Sequence, residues 1–481
     1  MRLLTKITHT TIATGIGVLG GFIRNKILAT LLSVGLFGIV STGQQSAILM
    51  MTVWAVGLQL GITTYSARLV GQAREERRLN TTRLVLLSCV QAAALLAALL
   101  AIALGDAVGL STLVVGRAEY RAEVVILLAM APLMLVETSL FAVLEGSGHL
   151  PGVVMFRVVP AVVTPPFLWF LARAYGLAGA ATGLLLNEIF LLLAGLWMLK
   201  QHLLWSAQVL HLRPLLKPVY SVGLLSVVVG TGWLAADVLS KRYVLHLFGE
   251  EANGIVQSVS KITDMYPTLV LSWLTMHLFP FVARTRDDRT ALAAGIERVV
   301  LAAMSVIIPV ILLLFMFREP VLRILYKGEF VVAGPFLAAT LATGIPRVFA
   351  WALGTALLPL DMRREWLYAS GIVIVVYALI VGTGLTSPLG IYAIPAALGL
   401  GFLFQASYTL HVLARARVRF SSTFVRRMGV YALIAGLIAG ALVEPWLIGG
   451  AVITFLAFVE RTGLVRELAE RIRKRDVATP S

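Results

Sequence analysis

The sequence is poor in charge, and poorer still in negative charge. Only 13% of its 481 residues are charged, against about 25% in soluble domains, and acids number 24 against 40 lysines and arginines. The hydrophobic share is 59% and the mean hydropathy +0.91. A large soluble core is thereby excluded, and the chain reads as an integral membrane protein. It has one cysteine, Cys89, in an apolar run, which excludes a disulfide framework or a cysteine-based metal cluster. Its seven histidines, His277 among them, are scattered, so no metal site is expected. There is no Walker loop or other nucleotide motif, so direct ATP drive is not expected and no cofactor is assigned. No loop is long enough to form a catalytic domain, and an enzyme is not expected.

What is present is a succession of apolar windows separated by charged or Pro/Gly turns. Windows of about 20 residues suffice to cross a bilayer. They predict about fourteen helices, near 8–32, 36–66, 84–104, 123–144, 151–172, 177–199, 218–245, 253–283, 292–317, 333–358, 366–384, 390–413, 429–443 and 446–459. The first window carries Arg24 and Lys26 and no clear cleavage site, and reads as a retained span instead of a signal peptide. Pro132, Pro160, Pro267, Pro309 and Pro346 fall inside spans, where they commonly mark kinks.

Alternating the loops places 26 of the 40 cations on one side, 8 on the other and 6 within spans. The positive-inside rule then puts both termini in the cytoplasm. The net charge of +16 is thus topological, with attraction to anionic membrane lipids as a by-product, and nucleic acid is excluded as a partner.

Sliding the chain by about 216 residues aligns Gly38-Ile39-Val40 with Gly254-Ile255-Val256, Ala67-Arg68 with Ala283-Arg284, and Lys26 with Arg242. Spans one to six then correspond to seven to twelve, entering from the same side as a parallel repeat. The expected fold class is an all-α polytopic membrane protein. It comprises two six-helix bundles related by a parallel pseudo-two-fold repeat, plus a C-terminal helix pair, with about 14 transmembrane helices. The expected division is an N-terminal lobe over 1–200, a cytoplasmic linker over 201–217, a second lobe over 218–415, an added helix pair over 416–460 and a tail over 461–481. In the tail, Leu464, Leu468, Ala469 and Ile472 recur at helical spacing among arginines. That pattern reads equally as a helix on the inner membrane surface or as a solvated tail.

Cations within a span cost several kcal/mol unless they meet water or an anion. Arg24, Lys26, Arg157 and Arg347 are therefore the candidate substrate-binding residues of a basic cavity. Lys26, nearer the outer end, reads equally as a lysine that snorkels to the headgroups. Residues two apart point about 200° apart on a helix, so Arg24 and Lys26 share one cavity only if the helix unwinds, which Gly15, Gly17, Gly20 and Gly21 would permit. Guanidinium groups suit a diphosphate through forked, charge-assisted hydrogen bonds. Acids within spans are candidates for ion coupling: Glu188, Asp264, Glu137 and Asp237. Asp237 reads equally as a structural partner of Lys241 one turn on. Glu297, near an inner end, reads as snorkelling. Gln44, Gln45 and Gln257 either line the cavity or bond between helices.

Two motifs carry a family likeness: Lys26-x-x-Ala29 followed by Gly35-Leu36-Phe37-Gly38, and Gly254-Ile255-x-Gln257-x-Val259-Ser260-x-Ile262-x-Asp264-x-Tyr266 continuing to Leu278-Phe279-Pro280. With Arg318-Glu319 and Phe330, they make the chain resemble the Wzx-type lipid-linked oligosaccharide (O-antigen and polysaccharide) flippases of the MATE-like (MOP) superfamily, over about residues 8–415. The resemblance implies movement of an undecaprenyl-diphosphate-linked oligosaccharide from the cytoplasmic to the periplasmic leaflet of the bacterial inner membrane by alternating access. It also implies polysaccharide polymerase or assembly proteins as partners. It supports Lys26, Asp264 and Arg347 as site positions, whereas Arg24, Arg157 and Glu188 rest on physical reasoning. The chain departs from the family in having Gly344, not an Asp, shortly before Arg347. The rival readings are a drug/cation antiporter of the same superfamily, which should have an acid-dominated cavity, and a membrane glycosyltransferase or polymerase, which generally needs a sizeable catalytic loop.

Overall fold

The computed structural model describes residues 2–462 apart from 70–72, 106–108, 201–202, 204–206, 268–277, 279–280, 283–284, 286–287 and 445–446. Every regular element among the described residues is helical. In chain order they are α1 (Arg2–Leu31), α2 (Val34–Ala55), α3 (Leu58–Leu69), α4 (Arg74–Gly105), α5 (Leu110–Val115), α6 (Arg121–Leu128), α7 (Met130–Gly146), α8 (Leu150–Leu199) and α9 (Arg213–Thr263). There follow α10 (Arg289–Met316), α11 (Arg318–Leu325), α12 (Gly334–Ala342), α13 (Gly344–Gly354), α14 (Arg363–Gly384), α15 (Ala393–Arg415), α16 (Ser422–Gly440) and α17 (Leu447–Thr462). Nine helical stretches among the described residues are long and apolar enough to cross a membrane.

Several expected spans are interrupted, each for a local reason. A proline lacks the N–H its helix needs and its ring crowds the carbonyl four residues back. Pro132, Pro267 and Pro346 sit four residues after Leu128, Thr263 and Ala342, and those are the residues at which α6, α9 and α12 end. The expected fourth and tenth spans are thus each two helices. The second is broken between α2 and α3, where Val56 and Gly57 take φ of 45° and 75°. Pro160 and Pro309, by contrast, lie inside continuous helix.

The chain packs into two compact units, one of Met1–Ser258 with Leu322–Val332 and the other of Val259–Val321 with Ala333–Ser481. This differs from the expected lobes, because residues 218–258 and 322–332 pack with the first unit. Within that unit α8 folds back at Gly176, whose φ of 58° is open to glycine at little cost. The returning arm lies so close that a Cβ on Gly179 would fall 1.9 Å from the Leu171 carbonyl oxygen. The fifth and sixth expected spans are recovered as the two arms of this hairpin. Likewise Gly249, at φ 82°, joins the seventh and eighth within α9.

Also in the first unit, α1 packs on α8 through Gly20, where a Cβ would lie 2.3 Å from that of Ala161. The repeat-matched glycines meet as well: a Cβ on Gly38 would come within 2.7 Å of the Gly254 nitrogen. Around that contact Asn253 Nδ2 and Gln257 Nε2 donate to Thr42 Oγ1 at 2.9 and 3.1 Å, and Gln257 Nε2 also reaches Gln45 Oε1 at 3.1 Å. Gln45 and Gln257 therefore bond between helices.

In the second unit, α14 and α15 run close together at Gly401 and Val373, and α16 pairs with α17. Glu297 of α10 meets the start of α16. It accepts from the backbone N–H and, at 2.9 Å, the hydroxyl of Ser421, the N-cap of α16.

Candidate functional site

The helix α1 is continuous from Arg2 to Leu31, so the unwinding that its glycines would permit does not occur. Arg24 and Lys26 consequently point to different surroundings, as helical geometry requires.

Lys26 Nζ donates to the carbonyl oxygens of Arg323, at 3.1 Å, and Tyr326. Those are the free carbonyls at the C-terminal end of α11, which attract a cation. Lys26 is thus engaged by backbone carbonyls in this structure. Tyr326 is itself fixed by donating from its hydroxyl to the Ser258 carbonyl at 2.8 Å, and it stacks with Phe330.

Arg24 turns the other way, toward Glu188 on the returning arm of α8, the carboxylate whose charge acts on it. Its Nε is buried and has no hydrogen-bond partner. Glu188, 5% exposed, accepts from Asn187 Nδ2 at 2.9 Å, and Asn187 Oδ1 accepts from Thr164 on the opposite arm. The Glu188 carboxyl also lies within hydrogen-bonding reach of that of Glu137 on α7. Among the described residues, the spans of the first unit therefore bring together a guanidinium with an unmet N–H and two acids.

The second unit holds a different arrangement. Arg347 Nη1 donates to Asp264 Oδ1 at 2.9 Å, with the arginine 8% and the aspartate 53% exposed. The guanidinium lies over Trp351, 4.5 Å from the ring centroid, and 5.8 Å from that of Phe402. Such stacking holds a planar cation in place. Arg347 and Asp264 thus neutralise one another, where the sequence had set one for substrate and the other for an ion. Both owe their placement to prolines: Asp264 follows the break before Pro267, and Arg347 sits in the first turn after Ala342.

Asp237 is bound by Lys241, at 2.7 Å and with the lysine 2% exposed, so the structural ion pair is the arrangement found. Arg157 lies on α8, but its side chain is outside the described residues. So are the tail from 463 onward, Phe279-Pro280 and the Ala283-Arg284 end of the repeat. The sequence missed Thr164 as a member of the cluster. It was findable, for a reversal at Gly176 sets residues 164 and 187 nearly opposite. Trp351 was findable too, one helical turn from Arg347.

The second unit also carries an open apolar pocket of about 890 Å³, lined by Met304, Phe349, Tyr392, Leu400, Phe424 and Met428 among others.

This helical arrangement is the fold of the MATE-like (MOP) transporters. The inward-facing multidrug resistance MATE family transporter superposes with a TM-score of 0.69 at 14% identity, covering 86% of this chain and 99% of its own. The lipid II flippase MurJ, in an inward closed conformation, does so with 0.72 at 12% identity, covering 96% and 99%. A MOP superfamily transporter from Pyrococcus furiosus, described as having a binding pocket of reverse polarity, gives 0.60 at 16%, covering 85% and 95%. Residues 153–334 match the family model described as polysaccharide biosynthesis protein, and the resemblance drawn from the sequence stands with these findings. A search of curated proteins finds no match. The chain is a multi-pass membrane protein with a transporter fold.

Proposed function

We propose that the protein is a flippase that moves an undecaprenyl-diphosphate-linked oligosaccharide from the cytoplasmic to the periplasmic leaflet by alternating access. The observation that carries this reading is Arg24, a guanidinium at span depth whose buried Nε has no protein acceptor. An unmet donor there costs about 1–3 kcal/mol, more when charged, and a diphosphate passing the site would meet it. The 890 Å³ apolar pocket suits a prenyl chain in size and lining, and the polysaccharide-biosynthesis match agrees with a sugar cargo. Glu137 and Glu188 are assigned to proton coupling, with Arg24 as the group that senses their charge. Asp264 and Arg347 form a pair that opens to admit substrate, Arg157 is retained as a further cation of the path, and Lys26 is assigned to holding the end of α11. Asp237 is released from the coupling role. A fourteen-helix, two-bundle repeat, placed in the inner membrane with cytoplasmic termini and working beside polymerase or assembly proteins, completes the proposal. The packing of Gly38 on Gly254 supports the repeat, because equivalent residues meet at a two-fold axis.

The test is a leaflet-resolved assay in proteoliposomes with a defined lipid-linked sugar. Arg24→Ala should reduce translocation at least about tenfold, the loss of one charge-assisted contact, with Arg24→Lys intermediate. Full translocation by a well-folded Arg24→Ala protein would sink the reading. The Glu137–Glu188 pair favours a second reading, cation/proton antiport; there Glu137→Gln would abolish transport of an organic cation while Arg24→Ala left it intact.

A further inference from the structure

A second cavity, of about 240 Å³, lies in the first unit at the meeting of four helix ends: the end of α3, the start of α4, the end of α7 and the end of α8. The cation distribution assigns these ends to the cytoplasmic side. Its polar lining is Ser66, Arg77, Arg78, Thr81, Ser147 and His149, over an apolar floor that includes Leu69 and Leu199, and among the described residues no carboxylate lines it. Arg77 closes the first turn of α4, which also carries Glu75 and Glu76, and Arg78 follows it.

Two details show that this is a prepared site and not only a basic rim. Arg78 is held in place, its Nε and Nη2 donating to the Leu203 carbonyl at 3.2 and 2.6 Å. Ser66, 2% exposed, lines the cavity with a buried hydroxyl that has no hydrogen-bond partner. A buried hydroxyl left unmet is unfavourable, and an oxyanion in the cavity would satisfy it. Gly146 packs on this turn of α3, where a Cβ would lie 2.3 Å from the Thr63 carbonyl oxygen and 2.8 Å from the Ser66 Cβ.

We propose that this cavity binds a phosphate group at the cytoplasmic end of the first unit, apart from the transported molecule. Pockets for drug-sized ligands run from about 300 to 1,000 Å³, so 240 Å³ admits a phosphate or a small headgroup but no oligosaccharide. The apolar floor beside the cations suits the phosphodiester and glycerol of an anionic phospholipid; inorganic phosphate offers the same anion without the lipid. The inference uses the side assigned by the cation count, but not the identity of the cargo.

Purified full-length protein in neutral detergent, with Ser66→Ala and Arg77→Gln beside it, is titrated with phosphatidylglycerol or with sodium phosphate at constant ionic strength. The rise of the unfolding midpoint is followed, with phosphatidylcholine and chloride as controls. A saturable rise in the wild type, with affinity about tenfold weaker in Ser66→Ala and at least that in Arg77→Gln, is the expected result. A response to phosphatidylglycerol alone identifies a lipid site, and a response to phosphate a soluble one. No saturable rise with either, or the same affinity in wild type and Ser66→Ala, overturns the proposal. Ser66→Ala removes only an unpartnered hydroxyl, so it keeps the test decisive if Arg77→Gln does not fold. No transport is measured, so failure here and failure of the flippase reading are separate results.

Discussion

Arg24 and Arg347 are both arginines at span depth, yet their neighbours give them different uses. Each keeps a buried Nε without an acceptor, but Arg347 is also pinned by a carboxylate through Nη1 and by two aromatic faces, whereas Arg24 faces Glu188 on the returning arm of α8. Loss of the aspartate's charge would leave Arg347 buried and without its ion-pair partner, and that is more costly than never having placed a charge there. Asp264 is half exposed, which lowers the effect. Asp264→Asn should therefore lower stability by about 1–3 kcal/mol. Asp264→Leu combined with Arg347→Met should recover part of that loss. Thermal unfolding of the detergent-solubilised proteins measures both. An unchanged midpoint in Asp264→Asn would show that the pair is incidental.

At the level of elements, glycine and proline do the shaping, since a membrane interior offers helices little else to tell them apart. Proline decides where a helix stops, as at Leu128, Thr263 and Ala342. Glycine decides how near two helices come, as adjacent positions in α1 show. A Cβ at Gly20 would lie 2.3 Å from Ala161, while one at Gly21 meets nothing within 4 Å. Gly20→Ala should then force α1 away from α8 and lower the unfolding midpoint. Gly21→Ala should raise it, by up to about 1 kcal/mol of helix propensity. Equal effects of the two substitutions, measured side by side, would contradict the packing of α1 on α8.

Across the whole molecule the governing quantity is the distribution of cations, which predicts the side on which each loop lies. With Cys89→Ser as background, Arg117→Cys should react with a membrane-impermeant maleimide in spheroplasts. Arg364→Cys should react only after the membrane is opened. Labelling of Arg364→Cys from outside would reverse the orientation, and with it the direction of transport proposed above.

The all-helical character, the membrane setting and the interruptions at Pro132, Pro267 and Pro346 were legible in the sequence, whereas the reversals at Gly176 and Gly249 were not singled out there. The former are local properties: hydrophobic length and ring sterics act over a few residues. The partners of the buried charges were not legible. Lys26 and Tyr326 are 300 residues apart, and Arg347 and Asp264 are 83 apart. A sequence shows that an ion in a span must be neutralised, since the desolvation penalty is the same in any fold. Which acid, carbonyl or absent ligand neutralises it depends on which helix faces come together. Only tertiary structure decided that Lys26 caps a helix end, that Arg347 is paired with Asp264, and that Arg24 faces Glu188 with its Nε left without an acceptor.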